Sequence, residues 1–141
     1  MSASPAASNL DKNKQLTIQW FDEVWNHGNR DAIARLMAPN GVIYDGATVI
    51  RGPAEFEHFY DRLRAQFSGF QISPVLVLAE GDLACIHWNA SFKHTATGKP
   101  AEVTGTSIVR IKDGRFVEAW QNWDAAALRA VLYGEPEKPL F

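Results

Sequence analysis

Two aspartates, a histidine and a dense aromatic–amide cluster are the residues of this chain best suited to moving protons. Asp45 closes the stretch Val42-Ile43-Tyr44-Asp45-Gly46, and Asp124 closes Trp120-Gln121-Asn122-Trp123-Asp124. A carboxylate among apolar groups binds its proton more tightly than one in water, which brings it towards the range of a useful acid or base. His87 is a natural partner for either aspartate, because imidazole exchanges protons near neutral pH. Each candidate also has a plainer reading. Asp-Gly favours a turn at Asp45, and a carboxylate at Asp124 can cap the helix that follows it. His87 and Asn89 lie two apart on one strand, so they share a face with Cys85 and Ser91. That face is either the wall of a pocket or a solvated or dimer surface. In the last strand Trp120 and Asn122 share a face with Glu118, and Ala119, Gln121 and Trp123 share the other. A bulge would exchange the two sets.

The elements that position these groups follow from spacing. Leu16, Trp20, Phe21, Val24 and Trp25 recur at helical intervals, in a helix capped by Asn9 or Asp11 and ending at His27-Gly28-Asn29. A short helix from Asp31 puts Ile33, Leu36 and Met37 on one face, and Pro39-Asn40-Gly41 closes it. Two short strands follow, Val42 to Gly46 and Ala47 to Gly52. Pro53 opens a third helix with Phe56, Phe59, Tyr60, Leu63 and Phe67 as its buried stripe. From Phe70 the period falls to two, over strands Phe70–Ala79, Leu83–His94, Ala101–Lys112 and Arg115–Trp123. The Asp113-Gly114 pair predicts a tight hairpin turn between the last two. Ala125 to Tyr133 reads as a short final helix. Helices first and an antiparallel meander afterwards predict an α+β fold.

The chain has 141 residues, enough for one domain with a real core. Its net charge of −2 and lack of a basic stripe argue against nucleic acid as a partner, and no apolar run reaches the length of a membrane span. Residues 1–8 lack the charged and apolar regions of a secretory signal and read as a disordered leader. Residues 9–134 read as the domain and 135–141 as an extended tail. Cys85 is the single cysteine; it reads as a small core residue, suits a reducing compartment and fits a cytoplasmic location. No cysteine–histidine pair has zinc spacing. Five tryptophans and eight phenylalanines predict an aromatic-lined interior.

Several motifs together resemble the SnoaL-like branch of the nuclear-transport-factor-like superfamily. They are Phe21-x3-Trp25-Asn26-x-Gly28, Tyr44-Asp45, Gly52-Pro53, Thr97-Gly98-Lys99, Gly105-x2-Ile108-x-Arg110-x2-Asp113-Gly114 and Val117-Glu118-x-Trp120-x2-Trp123-Asp124. The resemblance spans about residues 10–134. It implies a conical barrel of curved, antiparallel or mixed sheet wrapped by three N-terminal helices, and a pocket that works without a cofactor or metal. It also implies pairing through the outer face of the sheet as a homodimer. Asp124 matches the acid/base of the polyketide cyclases, and Asp45 matches the proton-shuttling aspartate of the ketosteroid isomerases. The oxyanion donors of those isomerases do not carry over, since Phe21 and Ser107 stand in their places.

Two functions follow as expectations. One is acid/base chemistry on a small apolar carbonyl compound: aldol cyclisation, isomerisation or dehydration. Asp124, Asp45 and His87 would be catalytic, and Tyr44, Trp20, Phe59, Asn89, Gln121, Asn122 and Trp123 would hold the ligand. The other is a binding or scaffold module with an aromatic pocket and no turnover. An epoxide-hydrolase reading is weaker, because no arginine aligns between two inward acids.

Overall fold

The computed structural model describes residues 5–133, with side chains described over 9–130. The ends of the expected leader and tail, residues 1–4 and 134–141, lie outside the described residues. Helix α1 (Pro5–Trp20) begins before the expected Asn9 or Asp11 cap and runs into a wider π-helical turn, Phe21–Asn26. Then come α2 (Asp31–Leu36), β1 (Met37–Asp45), β2 (Thr48–Arg51) and α3 (Gly52–Gln66). The meander β3 (Phe67–Glu80), β4 (Leu83–His94), β5 (Pro100–Lys112) and β6 (Arg115–Trp123) precedes α4 (Ala125–Tyr133).

The strands form one mixed sheet in the order β2-β1-β6-β5-β4-β3. Only the β1–β6 pair is parallel. The expected barrel is therefore an open, curved sheet, with β2 and β3 as its edges. The predicted hairpin joins β5 to β6: Asp113 and Gly114 take φ of 52° and 73°, which a two-residue primed turn requires of both central positions. Pro39-Asn40 lies inside β1 and does not precede it. The pairing shifts register between Met37 and Val42, so the proline falls where ladder bonds are interrupted.

The π-helical turn brings the long N-terminal helix to the sheet. Such a turn leaves carbonyls without regular helical partners, and α3 supplies donors to two of them. Tyr60 donates its hydroxyl proton to the Val24 carbonyl at 2.9 Å, and Arg64 donates to the Trp25 carbonyl at 3.1 Å. Asn26 acts as a short strand: its amide donates to the Ile72 carbonyl at 2.9 Å and accepts from the Ile72 N–H at 2.6 Å. These bonds aim Phe21 and Trp25 at the concave face. Trp20 and Trp25 then pack against Phe56, Tyr60, Phe70 and Phe116 with ring centroids 5.0–6.3 Å apart. At that separation aromatic pairs add to what their buried area contributes.

Candidate functional site

The concave face of the sheet is apolar row after row, with three polar interruptions, Asp45, Ser107 and Gln121. Inward residues are Ile86, Trp88, Ala90 and Phe92 on β4, and Val103, Gly105, Ser107 and Val109 on β5. On β6 they are Phe116, Ala119, Gln121 and Trp123. A register shift between Arg110 and Ile111, opposite Phe116 and Glu118, accommodates the odd spacing from Phe116 to Ala119. Beyond it the pairing is regular through Trp123, which fixes the parity of the strand end. Because β1 runs parallel to β6 with Asp45 paired to Gln121, Asp45 points inward as well.

A cavity of about 80 Å³ lies between this face and the helices. Phe21 and Trp25 of the π-helical turn, Phe59 and Leu63 of α3, and Leu128 of α4 cover it. The sheet contributes Phe67, Phe70, Ile72, Trp88, Phe92 and Trp123, with Asp45 and Gln121 as polar groups. A second hollow of about 30 Å³ lies behind Phe21 and Gln121, which line both spaces; Trp20, Thr17 and Ser107 border it.

Among the described residues, Asp45 is the one titratable group lining the cavity of about 80 Å³. Burial among aromatic rings pushes its carboxyl above the ordinary range, because the ion loses water that the rings cannot replace. A hydrogen bond donated by the Trp123 indole to Asp45 Oδ1, at 2.9 Å, works the other way and holds the carboxyl in one orientation. Asp45 Oδ2 makes no hydrogen bond among the described residues and is free to exchange a proton.

Gln121 is tied from behind. The buried Trp88 indole donates to Ser107 Oγ at 3.1 Å, and Ser107 donates to Gln121 Oε1 at 3.3 Å. Gly105 makes this possible: a side chain there would run into the six-membered ring of Trp88. Ser107, which the motifs mark only as a departure from the isomerase donors, also carries a signal of its own as a polar residue in an otherwise apolar alternating row.

The structure does not bring the other sequence-predicted site residues to this cavity. Asp124 is exposed one residue past β6, and its Oδ1 accepts the Ala127 N–H at 3.0 Å as the cap of α4. His87 projects from the convex face, where its Nδ1 pairs with Thr106 Oγ1 at 3.0 Å. Asn89 and Asn122 are exposed on the same face, and Tyr44 stacks there on Trp120 at 6.1 Å. Strand parity is the reason for the strand residues: past the register shift the odd positions of β6 face in and the even ones out, on β4 the even positions face in, and Tyr44 pairs with the outward Trp120. Cys85 is half-buried on that outer face and not in the core. Trp20, Phe59, Gln121 and Trp123 do line the two hollows. Among the described residues no three His, Cys, Asp or Glu side chains group as metal ligands, and no helix is long and apolar enough to cross a membrane.

Comparison with known proteins agrees with this fold. A candidate SnoaL-like polyketide cyclase from Jannaschia sp. CCS1 superposes with a TM-score of 0.83 at 19% identity, covering 96% of this chain and 99% of that one. AclR, a candidate hydroxylase from Streptomyces galilaeus, gives 0.82 at 20% identity over 93% and 87% of the two chains. IdmH, a candidate polyketide cyclase from Streptomyces antibioticus, gives 0.73 at 26% identity over 82% and 95%. No curated protein matches the sequence. Residues 18–132 match the family described as the SnoaL-like domain. With most of its length inside that match and the same fold in its structural neighbours, the chain belongs to the SnoaL-like domain family.

Proposed function

We propose that this protein is a cofactor-independent acid/base catalyst acting on a small apolar carbonyl compound, with Asp45 as the proton-transferring group. The observation that carries this reading is a single carboxyl, desolvated by aromatic rings, anchored through one oxygen and free at the other. Asp45 takes a proton from the carbon beside the carbonyl and then gives it up, to a carbon of the enolate in isomerisation, to the new alkoxide in aldol ring closure, or to the departing hydroxyl in dehydration. Isomerisation, aldol ring closure and dehydration all begin with removal of that proton, and the candidate polyketide cyclases among the structural neighbours accord with it. The rings of Phe21, Trp25, Phe59 and Trp123 bind the apolar body and exclude bulk water. No arginine among the described residues lines the cavity, which disfavours an epoxide-opening Asp-Arg-Asp arrangement.

The test is stereospecific deuterium uptake at the α carbon of 2-indanone, a compact ketone with acidic α hydrogens. Asp45→Asn is expected to slow uptake by about 10²–10⁴-fold while leaving binding intact. Binding without uptake by the unaltered protein would sink the catalytic reading in favour of a ligand-binding module.

We also propose that two copies pair through the convex face. Its rows carry Leu76 and Leu78, which are 61% and 65% exposed, Ile108 at 40%, and the Tyr44–Trp120 stack. Contiguous apolar surface of this kind marks an interaction site. A cytoplasmic location suits the free Cys85 thiol on that face.

A further inference from the structure

Gln121 is oriented more tightly than filling space requires. Ser107 is 1% exposed and Trp88 7%, so both of their polar groups need partners inside the protein. The indole N–H can only donate, and it donates to Ser107 Oγ at 3.1 Å. The serine proton must then find an acceptor, which is Gln121 Oε1 at 3.3 Å. An amide has chemically distinct ends. With its oxygen committed to Ser107, its NH₂ group is directed away from the serine, and it has no hydrogen-bond partner among the described residues. Gln121 lines the same cavity as Asp45 and pairs with it across adjacent parallel strands, which lie about 4.8 Å apart.

We propose that the Gln121 side-chain amide is the hydrogen-bond donor that receives the substrate's carbonyl oxygen, and that Trp88 and Ser107 are positioning residues that hold its N–H towards the cavity. This rests on the acid/base reading of the cavity and specifies its substrate: a ketone or ester-like carbonyl whose oxygen lies at Gln121 and whose α carbon lies at Asp45 Oδ2. The donors run in one sense, from Trp88 to Ser107 to Gln121 to the substrate oxygen, so each bond polarises the next. Negative charge collects on that oxygen as the α proton leaves. A donor fixed beforehand in a water-poor site stabilises the charge without reorganising. The donor stands in this site in place of those that Phe21 and Ser107 cannot supply.

The experiment uses the full chain and 2-indanone, with two readouts: the infrared carbonyl stretch of the bound ketone, and deuterium uptake at its α carbon. In the unaltered protein the stretch should lie below its value in hexane. Gln121→Leu should return it towards that value and slow uptake by about 10²–10³-fold, the usual loss for one such donor. Ser107→Ala and Trp88→Phe should broaden the band towards higher frequency and slow uptake less, because the amide is then free to turn over. Gln121→Met, closer in shape, serves in place of Gln121→Leu if that variant does not fold. An unchanged stretch in a folded Gln121 variant overturns the donor assignment. A Gln121-dependent stretch without uptake in the unaltered protein sinks Asp45 as the base and leaves the donor standing. Failure of the unaltered protein to bind 2-indanone overturns both.

Discussion

The two aspartates that compete for a role in the sequence end in opposite environments. Asp45 stands on the concave face, surrounded by aromatic rings and held by one indole. Asp124 stands just beyond the neighbouring strand, exposed, with its carboxylate bound to the first turn of α4. The side chain is the same, and the difference is water. Removing water makes the Asp45 ion costly, so its proton is held into a higher pH range. The Asp124 side chain stays in water and accepts the Ala127 N–H of a helix. A carboxylate becomes a candidate base through the rings around it, and the neighbouring residues in sequence say little about that.

The largest effect that could break this comparison is on proton transfer. Asp45→Asn is expected to slow deuterium uptake into 2-indanone by about 10²–10⁴-fold, the usual contribution of a positioned base. Asp124→Ala should leave uptake within about twofold, as expected for a residue whose contacts are with the helix end. Equal losses from the two would erase the distinction.

Stability should move the other way at Asp45. Its carboxyl has a raised pKa in the fold, so the folded chain keeps a proton over a pH window in which the unfolded chain has lost it. Stability therefore falls as pH climbs from the ordinary carboxylate range through the raised value. Asp45→Asn removes that loss, and thermal melts should show a higher Tm at neutral pH and a flatter dependence on pH. A lower Tm at neutral pH would mean that the carboxylate stabilises the fold and is not strained by it.

A third expectation concerns the packing behind the site. Gly105→Ala puts a methyl group against the Trp88 ring, and overpacking of this kind costs about 1–3 kcal/mol. Chemical denaturation should register it, together with a blue-shifted tryptophan emission if the indole is displaced inward or a red shift if it is displaced outward. Unchanged stability would mean that Trp88 has room to move and does not hold Ser107.

Smaller effects sharpen the contrast. Asp124→Ala should cost about 1 kcal/mol by uncapping α4, seen as a drop in denaturation midpoint. Trp123→Phe removes the bond that opposes desolvation at Asp45, so its pKa should rise further and the acid limb of the uptake profile should move to higher pH. A limb that stays in place would show that the indole holds the carboxyl without tuning it. If two copies pair through the convex face, Leu78→Glu should shift sedimentation from a pair to a single chain.

Much of the architecture is legible in the residues. The helical stripe of Trp20, Phe21, Val24 and Trp25, the period-two rows of β4 to β6, and the Asp113-Gly114 turn are local patterns, and local sterics and amphipathicity decide them. The π-helical turn at Phe21–Asn26 was not legible, because its carbonyls are satisfied by Tyr60 and Arg64 from another helix. The inward set Ala119, Gln121 and Trp123 was recognised as one face of a strand. Which face it would be depended on the register shift opposite Phe116 and Glu118 and on a parallel neighbour from the start of the chain.

The sequence by itself determined the element order, the aromatic content of the interior and the short set of groups able to do chemistry, since these depend on residue type and on spacing within a few positions. The tertiary structure alone decided which carboxyl is desolvated, which amide end is free and which histidine is excluded. Those properties depend on what stands across the cavity: Trp123 comes to Asp45 from a strand that lies 78 positions later in the chain, and no local pattern encodes that distance.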